Sequence, residues 1–186
     1  MVSGIIAVPA YLLMGWDVVM GRTKQNIAAW IVWALLDVIT LLASFAAGNK
    51  APWLIAAFAG GSVFILSLSL WRGDWKWELT ETACIAAASL ALGLWWYFGP
   101  TWAIACSVAA MVAAGIPMLW DTWRRPHEQI ATTWIVFFLA CVVLFIGAPW
   151  PWTIAFALYP GAGVLYNGAM VLLSLRKKQT VENTAL

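Results

Sequence analysis

The stretch PMLWDTWRRPHEQIATTWIV, residues 117–136, says again what LMGWDVVMGRTKQNIAAWIV, residues 13–32, has already said. Sliding the chain against itself by 104 positions, without a gap, lays Ala10, Met14, Trp16, Asp17, Gln25, Trp30, Ile31, Val32, Leu35 and Val38 on Ala114, Met118, Trp120, Asp121, Gln129, Trp134, Ile135, Val136, Leu139 and Val142. The echo continues in PWLIA at 52–56 and PWTIA at 151–155, where the offset falls to 99. The chain therefore reads as two copies of one unit, the second shorter by five residues in a loop.

Each copy is written in apolar residues. The chain of 186 residues is 64% hydrophobic and only 10% charged, against about 25% charged in an ordinary soluble domain. Its apolar residues fall in runs at 4–21, 28–47, 52–71, 83–98, 101–120, 131–148 and 152–175. These approach or exceed the roughly 20 residues that cross a bilayer as a helix. The first run lacks a basic leader and a small-residue cleavage site, so it reads as a span and not as a signal peptide. Cys84, Cys106 and Cys141 all lie inside apolar runs and read as small packing residues.

Charge gives the orientation. Arg22, Lys24, Arg72, Lys76, Arg124, Arg125, Arg176, Lys177 and Lys178 follow spans 1, 3, 5 and 7, whereas Lys50 alone follows span 2. The positive-inside rule makes the first group cytoplasmic. The N-terminus is then outside, the C-terminus inside, and the span count odd. Trp71, Trp75, Trp77, Trp95, Trp96, Trp102, Trp120, Trp123, Trp150 and Trp152 stand at or near run ends, where indole rings form an interfacial belt.

Seven spans hold two three-span units and one left over. Three spans end opposite to where they start, so a second unit joined directly would insert upside down. One added span turns the chain round and makes the units parallel. The expected architecture is an all-α membrane protein with two parallel three-helix bundles joined by a linker helix. The first repeat is 1–71, the loop and linker helix 72–100, the second repeat 101–175 and a cytoplasmic tail 176–186.

This 3+1+3 plan resembles the PQ-loop/SWEET superfamily of membrane transporters, a class with parallel repeats about the membrane normal. The family's mark is Pro-Gln in the first helix of a unit, followed by a basic loop. Pro117 followed by RRPHEQIA resembles it, with Glu128 at the acidic position, and GRTKQNIAAW holds the same place in the first unit. Met118 and Met14 stand where the family has Gln, and Leu13 where it has Pro, with Pro9 one turn earlier. The chain thus resembles a divergent, bacterial-type member. The resemblance implies an asparagine on the third helix of a unit that holds the solute. Asn167 matches it in the second unit, whereas the first offers Ser67 or Ser69.

The residues with chemistry are few. Asp37 lies near the middle of span 2, where a carboxylate costs about 2.5–3.5 kcal/mol even on insertion scales. It reads either as a proton- or cation-carrying group facing a wet cavity, or as an acid hydrogen-bonded between packed helices. Asn167, Tyr166 and Tyr159 are candidate solute contacts, and each is equally a packing contact. Trp30 and Trp134 read as belt residues or as a stacking surface for a planar or sugar-like solute. Pro160 and its glycines interrupt span 7, and Gly60 and Gly61 interrupt span 3 at the matching depth. Such breaks mark a binding site or a hinge, or close packing through small residues. Pro9 and Pro117 are positioned to kink spans 1 and 5. Asp17 and Asp121, beside Arg22 or Arg124 and Arg125, are the expected gate ion pairs.

Other functions fit less well. His127 has no Cys/His cluster near it, so no metal and no cofactor is expected. No phosphate loop or nucleophile triad appears, so the chain is not expected to be an enzyme. A retinal protein needs a lysine within a span, and every lysine here lies at a run end or in a loop. The expected function is transport of a small polar solute, sugar-like, an amino acid or a vitamin, by alternating access in the inner or plasma membrane, with Asp37 as a candidate for proton coupling. The alternative is a non-transporting receptor-like or assembly protein on the same fold. The expected partners are the solute and the lipid bilayer, with no nucleic acid; a second copy of the chain is left open.

Overall fold

The computed structural model describes residues 2–22, 25–50, 52–77, 79–124, 126, 131–148 and 153–176. Their regular elements are helices: α1 (Val2–Val19), α2 (Ile27–Ala46), α3 (Trp53–Arg72), α4 (Leu79–Phe98), α5 (Pro100–Arg124), α6 (Ala131–Ile146) and α7 (Tyr159–Ser174). A π-helical turn, Ile154–Leu158, leads directly into α7. α1, α2, α3, α5 and Phe156–Ser174 are long and apolar enough to cross a bilayer. The apolar part of α4, Thr82–Phe98, and α6 are shorter. At 1.5 Å per residue the 16 residues of α6 reach about 24 Å.

The surface is what a bilayer requires. Trp96, Tyr97, Leu79, Leu165 and Leu172 are all more than three-quarters exposed, or nearly so, and Trp16, Trp71, Trp75, Trp102, Trp120 and Trp123 also face outward. In water such a surface would drive association. Arg72 lies 4.5 Å from the ring centroid of Trp71, Arg124 4.8 Å from Trp120 and Arg176 3.9 Å from Trp123. Each places a guanidinium on an aromatic face at a helix end.

Local chemistry sets the helix ends. Gly21 and Gly48 adopt φ of +68° and +88°, a conformation cheap only for glycine. Arg22 N–H then donates to the Asp17 carbonyl at 2.9 Å, and Asn49 N–H to that of Ser44 at 3.0 Å. These are the long-range bonds of a Schellman stop. Asn26 caps α2 by accepting from Ala28 N–H at 3.1 Å, and the same oxygen accepts from Lys76 N–H at 3.3 Å. Ile27 N–H donates to the Asp74 carbonyl and Asp74 N–H to that of Gln25, each at 3.0 Å. The loops after α1 and α3 are thereby tied together. At the other basic ends, Arg176 donates to the Trp123 carbonyl at 2.7 Å and joins α7 to α5.

The packing has a regular plan. α3 packs against both α1 and α2, and α7 against both α5 and α6. α1 lies against α6, α2 against α5, and α4 covers α5 and α2. Two tyrosines show how close the helices come. The Tyr11 ring covers Gly61, leaving no room for a Cβ, and the Tyr166 ring covers Gly115 in the same way. Tyr11 and Gly115 occupy paired positions of the 104-residue slide.

Two expectations about helix shape need correction or refinement. α3 runs unbroken through Gly60 and Gly61; a glycine weakens a helix by about 1 kcal/mol but does not stop it. Gly60 has nothing within 4 Å of where its Cβ would stand. The irregularity in the last span is the π turn, and Pro160 stands in the first turn of α7 directly after it. Pro9 lies within the continuous helix α1.

Candidate functional site

Asp37 is fully buried. The Tyr159 hydroxyl donates to its Oδ1 at 3.0 Å, and the Ser62 hydroxyl donates to its Oδ2. Both carboxyl oxygens are therefore engaged, by partners on α7 and α3. A polar group away from water requires such partners. Tyr11 stands beside both Asp37 and Ser62. The site thus links the second helix of one half to the third helices of both.

Aromatic rings enclose it. Tyr11 and Phe137 have centroids 4.8 Å apart, Phe58 and Phe137 5.2 Å, Tyr11 and Phe58 5.7 Å, and Phe58 and Tyr159 5.9 Å. The rings meet edge-on or tilted, the arrangement their quadrupoles favour. They come from α1, α3, α6 and α7, and Tyr11 and Tyr159 set this apolar cluster beside the acid.

The other candidates lie apart from it. Asn167 donates to the Gly163 carbonyl at 2.7 Å and lies 3.7 Å from the Cys141 sulfur. Cys141 is the partner of Asp37 in the 104-residue slide, so a third-helix polar group holds the same second-helix position in each half: Ser62 in one, Asn167 in the other. Tyr166 donates to the Gly115 carbonyl at 3.2 Å and sits between Trp33 at 6.4 Å and Trp134 at 6.3 Å. Trp30 lies 6.0 Å from Trp33, and its indole donates to Gln25 at 2.9 Å. Trp30 and Trp134 are both buried, so they are not exposed belt residues. They belong to an internal aromatic layer near the first turns of α2 and α6.

At the basic end Arg22 pairs with Asp17 at 3.2 Å, with the arginine side chain 65% exposed and that of Asp17 only 12%. Such a pair contributes at most about 1 kcal/mol. Arg124 stacks on Trp120. Arg125 and the side chains of Asp121 and Pro117 lie outside the described residues, as do His127 and Glu128. Ser67 and Ser69, the expected polar groups of the first unit, instead donate to the Val63 and Ile65 carbonyls at 2.8 Å. Ser62, the residue that meets Asp37, was missed. Its only local signal is its place after two glycines on an apolar helix.

A stability prediction follows from this geometry. Ser62→Ala or Tyr159→Phe leaves one oxygen of Asp37 without its donor inside a dry core. Each is expected to destabilise the protein by about 1–3 kcal/mol, read as a lower thermal midpoint in detergent. In the Asp37→Asn background the cost should shrink, because the three residues form one network. Additive effects would show that the network carries no coupling.

Comparison with protein-family models, with curated proteins and with solved structures returns no match.

Proposed function

We propose that the chain is an inner-membrane transporter of a small polar solute, working by alternating access between two parallel three-helix repeats of PQ-loop/SWEET type, with Asp37 as its proton carrier. The observation that carries this reading is the buried acid, Asp37 on α2, bonded at once to α3 of its own repeat and to α7 of the other. A change in its charge acts on the contact that must open and close. A carboxyl that takes up a proton loses its charge, and the neutral form occupies a dry interior at lower cost. The two conformations then bind the proton unequally, which coupling requires.

The helix plan supports the repeat. First and third helices, and second and third helices, pack in both halves, and the first helix of each half packs against the second of the other. Tyr166 touches Trp33 and Trp134 alike. These tryptophans lie in the early turns of α2 and α6, which fits parallel units. In this reading α4 is the linker helix, the basic loops face the cytoplasm and the N-terminus is outside. α4 and α6 span with local thinning of the bilayer.

One observation favours the second reading, a receptor-like or assembly protein. Asp37, Asn167 and Tyr166 make three separate helix contacts and do not converge on each other. The two are separated by a thermal-shift screen of the purified protein against sugars, amino acids, nucleosides and vitamins, followed by uptake of any hit into proteoliposomes. Transport predicts a ligand that raises the midpoint and enters the vesicles. A protein that binds nothing and moves nothing is a scaffold.

A further inference from the structure

Hydroxyl groups on these helices mostly follow one habit. Thr40 donates to the Leu36 carbonyl, Ser69 to Ile65, Ser89 to Ile85, Thr122 to Met118 and Ser174 to Met170, at 2.7–3.0 Å. Each satisfies itself on its own helix, four residues back. Ser44 and Ser107 depart from it. Both are fully buried, and neither hydroxyl has a hydrogen-bond partner. The back-bonding geometry is open to any helical serine, and an unsatisfied hydroxyl in an apolar interior is costly. Their hydroxyls therefore stand free of the helix backbone.

Their places are related. Ser44 is in the last turn of α2, and Ser107 in the second turn of α5, the helix packed against α2. On α2, Asp37, Thr40 and Ser44 are spaced i, i+3 and i+7, the spacing of one helix face, and all three are fully buried. This polar face begins at the acid in mid-helix and ends where α2 stops at Gly48. In the topology proposed above, that end is the outer face.

We propose that Thr40 and Ser44, with Ser107 on the adjoining helix α5, line a water path that joins Asp37 to the outer face when the two repeats part there. Water needs two to four polar partners to occupy a buried site. The path offers two unsatisfied hydroxyls, a third on Thr40 and the acid at its end. In the packed state the repeats close it. In the outward-open state it wets, and protons reach Asp37 from outside without crossing the aromatic wall of Tyr11, Phe58 and Phe137. The inference rests on the alternating-access reading and adds to it the residues that form the outer half of the route.

The test is substituted-cysteine labelling of the full-length chain. Ser44→Cys and Ser107→Cys are made separately, with Ala43→Cys as the control, since Ala43 is equally buried but off the polar face. Intact cells and inverted membrane vesicles are exposed to a small impermeant methanethiosulfonate carrying a trimethylammonium group. Adducts are counted by intact mass against the wild type with its three cysteines. Both serine variants should label at least tenfold faster than the control, and only from the side of the loop between α2 and α3. Labelling no faster than Ala43→Cys, or from the basic side, overturns the path. A variant that is not monodisperse is replaced by Thr40→Cys, judged by the same rates. The assay needs neither solute nor gradient, so it can fail while transport stands, and transport can fail while it holds.

Discussion

Asp37→Asn should fold, still exchange solute, and lose all pH-driven accumulation. The change keeps the size of the side chain and one carbonyl oxygen to accept from Ser62 or Tyr159, but removes the proton that comes and goes. One pH unit across the membrane is worth about 1.4 kcal/mol, a tenfold accumulation at one proton per solute. In proteoliposomes the wild-type ratio near ten should fall to about one in the variant, while solute-for-solute exchange persists. Tyr11 and Tyr159 are ionisable groups described beside Asp37, and an ordinary phenol keeps its proton near neutral pH. They are poor substitutes as carriers near neutral pH. A variant that concentrates solute with unchanged pH dependence removes Asp37 from the mechanism and leaves it as a packing acid.

Gly61→Leu should be as damaging as its neighbour Gly60→Leu is harmless. A Cβ on Gly61 collides with the Tyr11 ring, and that ring is itself held against Phe58 and Phe137. A Cβ on Gly60 meets nothing within 4 Å. Overpacking a fixed contact costs about 1–3 kcal/mol and occasionally more. A leucine at 61 is expected at or above the top of that range, with loss of most folded protein. Gly60→Leu should melt with the wild type or slightly above it, because leucine is the better helix former by close to 1 kcal/mol. Tyr11→Ala should partly rescue Gly61→Leu, since it removes the ring that the leucine meets. Equal melting of the two leucine variants would show that α1 and α3 are not packed as described.

Under the proposed repeat, this contact lets the two halves diverge without losing their shape. In one half the large ring is on the first helix and the glycine on the third, Tyr11 over Gly61. In the other the glycine is on the first helix and the ring on the third, Gly115 under Tyr166. Total volume is kept while the residues trade places, which close-packed interiors tolerate. A comparison of the halves position by position sees only a tyrosine facing a glycine and finds no conservation there.

The sequence by itself determined what depends on local order. Apolar run length marked the helices, the slide of 104 residues marked an internal echo of the sequence, and the mid-run position of Asp37 marked an acid that needs partners. Each is read along the chain, and each survives any arrangement of the helices. The tertiary structure decided which partners. Ser62 and Tyr159 lie 25 and 122 residues from Asp37, and no spacing rule joins them. It also turned Trp30 and Trp134 inward, although both stand near run ends like the belt tryptophans. The physical reason is that an amphipathic stripe normally tells which face of a helix is buried. Here nearly every position on every helix is apolar, so the pattern marks no face. The rotation of each helix is set instead by how rings, glycines and hydroxyls of distant segments fit together, and that fit exists only once the bundle has packed.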